Sequence, residues 1–275
     1  DEENAVFQAA SQFNLLEMAS QYTLPEQGIT IYSLDNTQGP RVALSSPAGT
    51  FFRNYFIFDG ERQTSTKQIN TIKQLMNKLK IKQIDNDYTN PGEYYYLNGY
   101  GKIDVTNNYL ERYSKERLQE FTEATLSIGV HWNTPLLVDC NKKVTQVYCS
   151  GLPISYMYRG EMKNSIVNLA KCILETAYKY TLQVAVNKLS SEKPKSTVYL
   201  TAIGGGVFGN DIEWIQEALV NALYEYRYYP LDVKMVWFGI SNVELSTDNI
   251  MNKFRLKVDG LAVADTEASL KYKNK

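Results

Sequence analysis

A run of glycines and small residues offers the clearest chemistry in this chain. The β-favouring residues 197–203 lead directly into Gly204, Gly205, Gly206, Val207, Phe208, Gly209 and Asn210. An apolar pattern at helical spacing begins at Ile212. Glycines let the backbone approach a phosphate closely, and a helix start adds unpaired N–H groups and the positive end of the helix dipole. The run lacks the Lys-Ser/Thr of a Walker A loop. Two interpretations stay open, a phosphate-binding loop and a tight strand-to-helix turn that binds nothing.

Two acidic side chains near the N-terminus have the chemistry to cleave a glycosidic bond. Glu26 and Asp35 flank an apolar run at residues 29–32, and Asp35 opens the turn-forming sequence Asp-Asn-Thr-Gln-Gly-Pro. A carboxylate in such a loop can deprotonate water or stabilise an oxocarbenium-like ribose. Turn capping is the alternative role. It is the favoured interpretation for Glu26, and both roles stay open for Asp35.

A second polar cluster follows the apolar residues 126–130. It contains His131, Asn133, Thr134 and Asp139. Open α/β sheets bind ligands beyond the carboxyl ends of their strands, so this cluster is a further candidate site. Asn133 can orient a water molecule but cannot accept its proton, which leaves a general-base role to Asp139 or Asp35. His131 is interpreted as structural in preference to a base.

Composition argues against several classes of function. The chain of 275 residues carries a net charge of −1, so nothing global attracts it to nucleic acid or to an acidic membrane. The lysines between residues 67 and 82 fit the solvated face of an amphipathic helix. Three scattered cysteines and one histidine do not suggest a disulfide framework or a metal site. With no signal peptide and no apolar run of roughly 18 residues, we predict a soluble cytoplasmic protein without metal, cofactor, nucleic-acid or membrane partner.

The positions of these residues depend on an alternation of strands and helices. β-type runs occupy residues 29–32, 42–44, 55–58, 126–132, 144–149, 198–203 and 233–240. Helical patterns occupy residues 66–79, 108–121, 162–189 and 212–226. Some strands are apolar on both faces, as in a sheet covered by helices on each side. We predict one domain over residues 1–275, with a three-layer α/β/α fold around a mixed sheet, and a hairpin at Asn98-Gly99.

The glycine run resembles the diphosphate loop of macrodomains of the poly(ADP-ribose) glycohydrolase type. There a Gly-x-Gly-Ala-Phe-Gly-Gly-Asp run follows a core strand and opens a helix. Residues 7–14 (FQAASQFN) are similar to the segment that contacts the distal ribose in that superfamily. Residues 28–55 resemble one branch that carries Asp-x-Thr-Gln-Gly-Pro and Arg-Asn-Tyr elements. The resemblance implies a macrodomain-like fold and an ADP-ribose site. Besides the glycine run, this site would contain Gln12, Asn14, Thr134, Phe238 and Asn242.

Two departures from the family shape the predicted activity. The glycine triplet followed by Gln-Glu-Glu is absent, since Leu15-Leu16-Glu17 follows Asn14, and this argues against trimming of poly(ADP-ribose). Asn133 stands where an Asp is expected, so either Asp139 or Asp35 takes the acidic role, or the chain binds without turnover, or position 133 has been altered. The resemblance implies a hydrolase that removes mono-ADP-ribose from modified proteins, from arginine, a carboxylate or serine. Its catalytic candidates are Asp35, Asn133, Asp139 and Glu26. The alternatives are a non-catalytic ADP-ribose reader and a protein-interaction macrodomain.

Overall fold

A computed structural model describes residues 4–37, 39–81, 83–84, 94–104, 108–157, 162–236 and 248–260. The strands are β1 (Val6–Ala10), β2 (Gln83–Ile84), β3 (Tyr94–Leu97), β4 (Tyr100–Ile103), β5 (Gly129–Pro135), β6 (Lys143–Cys149), β7 (Ser196–Thr201) and β8 (Leu231–Val236). The α-helices are α1 (Gly39–Ser45), α2 (Pro47–Tyr55), α3 (Lys73–Lys78), α4 (Lys115–Thr125), α5 (Asn164–Val186), α6 (Ile212–Glu225) and α7 (248–260). Short 3₁₀ helices lie at Pro25–Leu34, Tyr109–Arg112 and Ile154–Tyr156.

The central sheet is mixed, as predicted. Its strand order is β5-β6-β1-β7-β8, and β6, β1, β7 and β8 run parallel. The carboxyl ends of these four strands therefore meet at one edge of the sheet. Strand β5 runs antiparallel to β6, with Gly129 opposite Tyr148 and Pro135 opposite Lys143. Its carboxyl end therefore lies at the opposite edge.

Helices cover both faces of this sheet and confirm the three-layer α/β/α fold. On one face, Gln8 of β1 donates to the Thr181 hydroxyl of α5 over 2.8 Å, and α4 and α6 pack beside α5. On the other face, the Gln146 amide of β6 donates to the Val42 carbonyl of α1 over 2.7 Å. Alternate residues of each strand point to opposite faces, so both layers bury apolar side chains of the same strands. None of the helices in the described ranges is long and apolar enough to cross a membrane.

Several N-terminal elements differ from the sequence prediction. Residues 29–32 belong to a 3₁₀ helix, residues 42–44 to α1, and residues 55–58 to the end of α2 and the turn after it. Short apolar runs do not distinguish strands from helices by periodicity, and Pro47 occupies the start of α2, where proline is favoured. The central strand β1 was not among the predicted strands, because its alanines and glutamine have weak β propensity.

The C-terminal elements follow the prediction more closely. Helix α5 occupies Asn164–Val186 within the predicted 162–189, and α6 occupies Ile212–Glu225 within 212–226. The predicted helix 66–79 is reduced to α3, and 108–121 is divided between a 3₁₀ turn and α4. Apolar side chains of these two regions that lie outside α3 and α4, such as Ile72, Leu79 and Leu110, are nevertheless buried in the core.

The predicted hairpin at Asn98-Gly99 is confirmed and supports the loop after β1. Asn98 and Gly99 have φ values of 47° and 87°, as a two-residue hairpin turn requires. The turn joins β3 to β4 in a small sheet with the order β2-β3-β4. The Gly99 carbonyl accepts a 2.9 Å hydrogen bond from the N–H of Phe13. This contact fixes the start of the loop that forms one wall of the site described below.

Candidate functional site

A cleft of about 390 Å³ lies at the carboxyl ends of the four parallel strands. One wall is the glycine loop after β7, which we define as residues 204–210. The facing wall combines the loop after β1 with residues 35–37, and Tyr100 and Tyr156 also line the cleft. Ala202, Ile212 and Val236 give it an apolar part. The position agrees with the general rule for ligand sites in open α/β sheets.

The glycine loop is a set of tight turns with a few unused N–H groups. The N–H group of Gly205 donates to the Ala202 carbonyl just before the loop over 3.1 Å, and those of Gly209 and Asn210 donate within the loop over 3.0 and 2.9 Å. Those of Gly206, Val207 and Phe208 form no hydrogen bond in the described structure and belong to residues that line the cleft. These three consecutive N–H groups, and that of Gly204, which also forms no hydrogen bond in the described structure and lines the cleft, are therefore available to an anion.

Two further contacts hold the glycine loop in shape. The Asn210 side chain is buried and donates to the carbonyls of Leu152 and Gly204 over 2.8 and 3.2 Å. The Asp211 carboxylate accepts from the Glu213 N–H over 2.7 Å and so caps α6 itself. Gly209 and Asn210 do not line the cleft. The Asp211 carboxylate therefore satisfies one N–H group of the helix start, and the N–H groups of Gly206, Val207 and Phe208 lie in the middle of the loop.

Phe208 turns inward and forms an aromatic cluster with Tyr100 and Tyr156. The three ring centroids lie 5.1–5.9 Å apart. The Ser155 N–H donates to the Phe208 carbonyl over 3.0 Å, and the Ser155 hydroxyl donates to the carbonyl of Val207. Edge-to-face aromatic packing of this kind stabilises a defined geometry. The cluster fixes the glycine loop against the rest of the cleft.

The loop after β1 is held by its own side chains. Gln12 lines the cleft, and its amide accepts from the Met18 N–H over 2.8 Å and donates to the Met18 carbonyl over 3.2 Å. Asn14 is fully buried and accepts from the Leu16 N–H over 3.1 Å. Asn14 does not line the cleft, which corrects the expectation that it lies beside a ribose. Its role in the structure is to close the turn through Leu15, whose φ is 64°.

Glu17 is the site residue that the sequence analysis missed. Its side chain is only 2% exposed and lies in the cleft wall, and its Oε1 accepts no hydrogen bond from the described residues. Burial raises the pKa of Glu17 well above its usual range, the charge of Asp35 adds to this, and Arg53 opposes it. A buried acid of this kind holds its proton to a higher pH than an exposed glutamate does and can donate it.

Asp35 lies in the same cleft as Glu17. It is half-buried, and its Oδ1 accepts from the Thr37 N–H over 2.7 Å. Both roles weighed for Asp35 are therefore compatible with its position, because one carboxylate oxygen caps the turn and the other is left for a ligand. Glu17 and Asp35 therefore bring two carboxyl groups to the same cleft.

Arg53 and Asn54 hold the part of the loop after β1 that carries Glu17. The Arg53 side chain is buried, donates from Nε to the Leu15 carbonyl over 2.8 Å, and stacks on Tyr148 at 3.5 Å from the ring centroid. Asn54 donates to the Tyr32 hydroxyl over 3.0 Å, and that hydroxyl accepts from the Glu17 N–H over 3.2 Å. The Arg-Asn-Tyr element thus positions the backbone on both sides of the turn that carries Glu17.

Glu17→Gln should make the protein more stable at neutral and alkaline pH. The folded-state pKa of Glu17 is raised, so the wild type loses stability as pH rises from the ordinary glutamate value of about 4.3 through the folded-state pKa. A glutamine does not titrate and avoids this loss. We expect its Tm at pH 8 to exceed that of the wild type by about 2 °C or more, a difference that narrows towards pH 4. Equal Tm values at both pH values would contradict the buried protonated state.

Glu26 lies outside the cleft and has a capping role. Its carboxylate accepts from the N–H and the hydroxyl of Ser65, both over 2.8 Å. Partial burial raises the pKa of Glu26, but the hydrogen bonds from Ser65 outweigh it and lower the pKa overall. Glu26 does not line the cleft. The structural interpretation favoured from the sequence therefore fits its position.

The structure does not bring Asn133, Thr134 and Asp139 to the cleft. Thr134 pairs with Val144 near the amino end of β6, and Asn133 lies in the irregularity just before it, because β5 runs antiparallel and ends at the opposite edge of the sheet. Asp139 follows in the β5–β6 turn, where it accepts from the Asn141 N–H over 3.1 Å. This corrects the expectation that a cluster after residues 126–130 lies at the ligand-binding edge. Strand direction, which a sequence pattern does not reveal, decided the outcome.

His131 packs in the protein and does not face the cleft. Its ring contacts those of Phe52 and Tyr148 at centroid distances of 6.3 and 5.9 Å. Burial, with a contribution from Arg53, lowers the pKa of His131 to about 4. The position of His131 agrees with the structural interpretation.

Phe238 and Asn242, which the resemblance assigned to the adenosine end, lie outside the described residues.

Comparisons with known proteins give no family for the chain. No protein-family model matches it, and no curated protein matches it. Among the described residues, no group of three or more His, Cys, Asp or Glu side chains is arranged to hold a metal ion. The glycine-loop N–H groups, the two carboxyl groups and the aromatic cluster are the groups that define the chemistry of the cleft.

Proposed function

We propose that the protein binds ADP-ribose and hydrolyses the bond that joins mono-ADP-ribose to a modified protein. The observation that carries this proposal is the meeting of the glycine loop with Glu17 and Asp35 across one cleft. The macrodomain resemblance of the glycine run supports the same ligand. The cleft volume of about 390 Å³ falls in the usual range for small-molecule sites.

The ligand would lie along the cleft with its diphosphate on the glycine loop. The N–H groups of Gly206, Val207 and Phe208 are free for phosphate oxygens, and glycine permits their close approach. The distal ribose would then lie towards Gln12, Glu17 and Asp35. The adenosine would lie towards the apolar part of the cleft, which includes Ile212.

Glu17 and Asp35 would have complementary roles in hydrolysis. Protonated Glu17 donates its proton to the leaving nitrogen or oxygen as the bond to the anomeric carbon breaks. Asp35 stabilises the oxocarbenium-like ribose and removes a proton from the attacking water. Water adds to the anomeric carbon, and the products are free ADP-ribose and the unmodified side chain. This assignment moves the acid from Asp139 or Glu26 to Glu17 and leaves Asp35 as a catalytic candidate.

A proton donor in the cleft favours some linkages over others. Arginine and serine are poor leaving groups that need a proton, whereas a carboxylate is a good leaving group without one. We therefore favour arginine- or serine-linked ADP-ribose as the substrate. The non-catalytic reader is the second candidate, but the main argument for it, Asn133 in place of Asp, concerns a residue remote from the cleft.

Incubation of the protein with substrates that carry mono-ADP-ribose on arginine, serine or glutamate should distinguish a hydrolase from a non-catalytic reader. We expect release of ADP-ribose from arginine or serine, measured by mass spectrometry of the product, and slower release from glutamate. Binding of ADP-ribose without release from any linkage would establish a reader. Absence of ADP-ribose binding in calorimetry would contradict both proposals and leave a protein-interaction domain.

A further inference from the structure

Three lysines surround a small pocket at the opposite edge of the sheet from the cleft. The lysine pocket is formed by Lys188, Lys193 and Lys195, together with Asn4 and Ser196 among others, and encloses about 60 Å³. One water molecule occupies about 30 Å³ in the liquid, so the space suits one small polyatomic ion and excludes a nucleoside. It lies at the amino ends of the parallel strands, where β7 begins.

Lys188 is held in place with one donor unused. Its ammonium group donates to the Thr145 hydroxyl over 2.7 Å and to the Asn133 amide oxygen over 3.1 Å. An ammonium group has three donors, so one remains for a ligand. Both acceptors are neutral, and Lys188 forms no ion pair with the described residues. Burial lowers the pKa of Lys188, and the charge of Lys193 lowers it further.

The other charged side chains that the structure describes around the lysine pocket leave it positive. Lys193 lies in a turn closed by two hydrogen bonds with Ser190 and forms no ion pair in the described structure. Lys195 lies 3.8 Å from Asp232, which offsets part of its charge. Glu192 in the same turn is exposed and forms no ion pair with these lysines. Among the residues that the structure describes around the pocket, three lysines are therefore accompanied by one ion-paired carboxylate, that of Asp232.

Asn133 positions Lys188 through an irregularity in β5. The register of β5 against β6 shifts between His131 and Thr134, and Asn133 within this bulge has a φ of 50°. Asparagine adopts this left-handed conformation more readily than most residues, and bulges redirect side chains. The irregular backbone thus directs the Asn133 oxygen towards Lys188. This gives a structural role to the residue that the sequence analysis had considered for catalysis.

We propose that the lysine pocket binds a small doubly charged oxyanion, of the phosphate type, independently of the cleft. The inference rests on the size of the pocket, the three lysines and the unused donor of Lys188. It does not depend on the proposed hydrolase activity. The oxyanion is either free phosphate or a phosphate monoester. A monoester carries an organic group that must extend out of the pocket into solvent, whereas free phosphate carries none.

Titration with inorganic phosphate and, separately, with phosphoserine tests the proposal at constant ionic strength. Amide NMR shifts at Lys193, Ser196 and Thr197 should follow phosphate binding with a dissociation constant of about 1 mM or lower.

Asn133→Asp places a carboxylate beside Lys188 without changing the shape of the side chain and should weaken phosphate binding at least about tenfold. Lys193→Gln removes an unpaired charge from a surface turn and should weaken it about threefold or more. Binding of inorganic phosphate alone identifies the free ion as ligand, and equal binding of phosphoserine identifies a monoester.

Two controls make the result decisive. Lys67→Gln removes an exposed lysine that pairs with Glu61, so it should leave phosphate affinity unchanged. Gly206→Glu blocks the glycine loop, where phosphate also has free N–H donors, and should leave the shifts at Ser196 and Thr197 intact. Loss of those shifts in Gly206→Glu, or equal weakening by Lys67→Gln and Asn133→Asp, would overturn the lysine-pocket site.

Discussion

Glu17→Gln should lower the rate of ADP-ribose release by about 10²–10⁴-fold while ADP-ribose affinity stays within about threefold. Glutamine has the shape of the protonated acid and fills the same space beside Asp35, but it cannot transfer a proton to the leaving group. Because the proton on Glu17 is the active form, we also expect the wild-type rate to fall as pH rises through the raised pKa of Glu17. Single-turnover release from a mono-ADP-ribosylated protein measures both effects.

Glu26→Gln is the matched control for this experiment. Glu26 is also a glutamate of the N-terminal region, but its carboxylate is bound to Ser65 outside the cleft. Its replacement should therefore leave the rate within about twofold. Asp35→Asn should reduce the rate by a factor similar to Glu17→Gln, since both carboxyl groups are needed in a two-acid mechanism. An unchanged rate in Glu17→Gln would remove the acid from the proposed mechanism and return the question to Asp35 alone.

The parts of the fold that could be predicted from the sequence are those with long, one-sided patterns. Helix α5 and helix α6 have continuous apolar stripes, and the hairpin at Asn98-Gly99 has a turn sequence that few other conformations accept. The glycine run was placed correctly after a strand and before a helix for the same local reason. The short runs at residues 29–32 and 42–44 were assigned to strands, yet they are helical, because neighbouring prolines and tertiary contacts decide such short segments.

Only part of the candidate site could be predicted from the sequence. Glu17 carries no local signal of function, since its importance comes from burial and from the approach of Asp35 in space. Asn133 had a local signal, a polar residue near the end of an apolar strand, but the antiparallel direction of β5 carries it to the far edge. Both differences arise from long-range packing, which fixes strand direction and burial and leaves little trace in residue spacing.

Gly206→Glu should abolish ADP-ribose binding, lowering affinity by at least about 100-fold. A side chain at Gly206 would start in open space, with nothing within 4 Å of its Cβ, so the fold has room for it. The carboxylate would then lie beside the N–H groups proposed to hold the diphosphate and would repel it. Gly205 is less suitable for this test, because a Cβ there would lie 2.8 Å from Ile215 and disturb the packing of α6.

Gly206→Ala is the matched control and should bind ADP-ribose within about threefold of the wild type, since it adds one methyl group and no charge. Calorimetry with ADP-ribose and with AMP distinguishes a diphosphate loop from a general nucleotide pocket. The wild type should bind ADP-ribose at least about tenfold more tightly than AMP, because AMP lacks the second phosphate and the distal ribose. Gly206→Glu should lose this preference. Retained ADP-ribose affinity in Gly206→Glu would show that the diphosphate does not lie on these N–H groups, and the glycine loop would then be a strand-to-helix turn without a ligand.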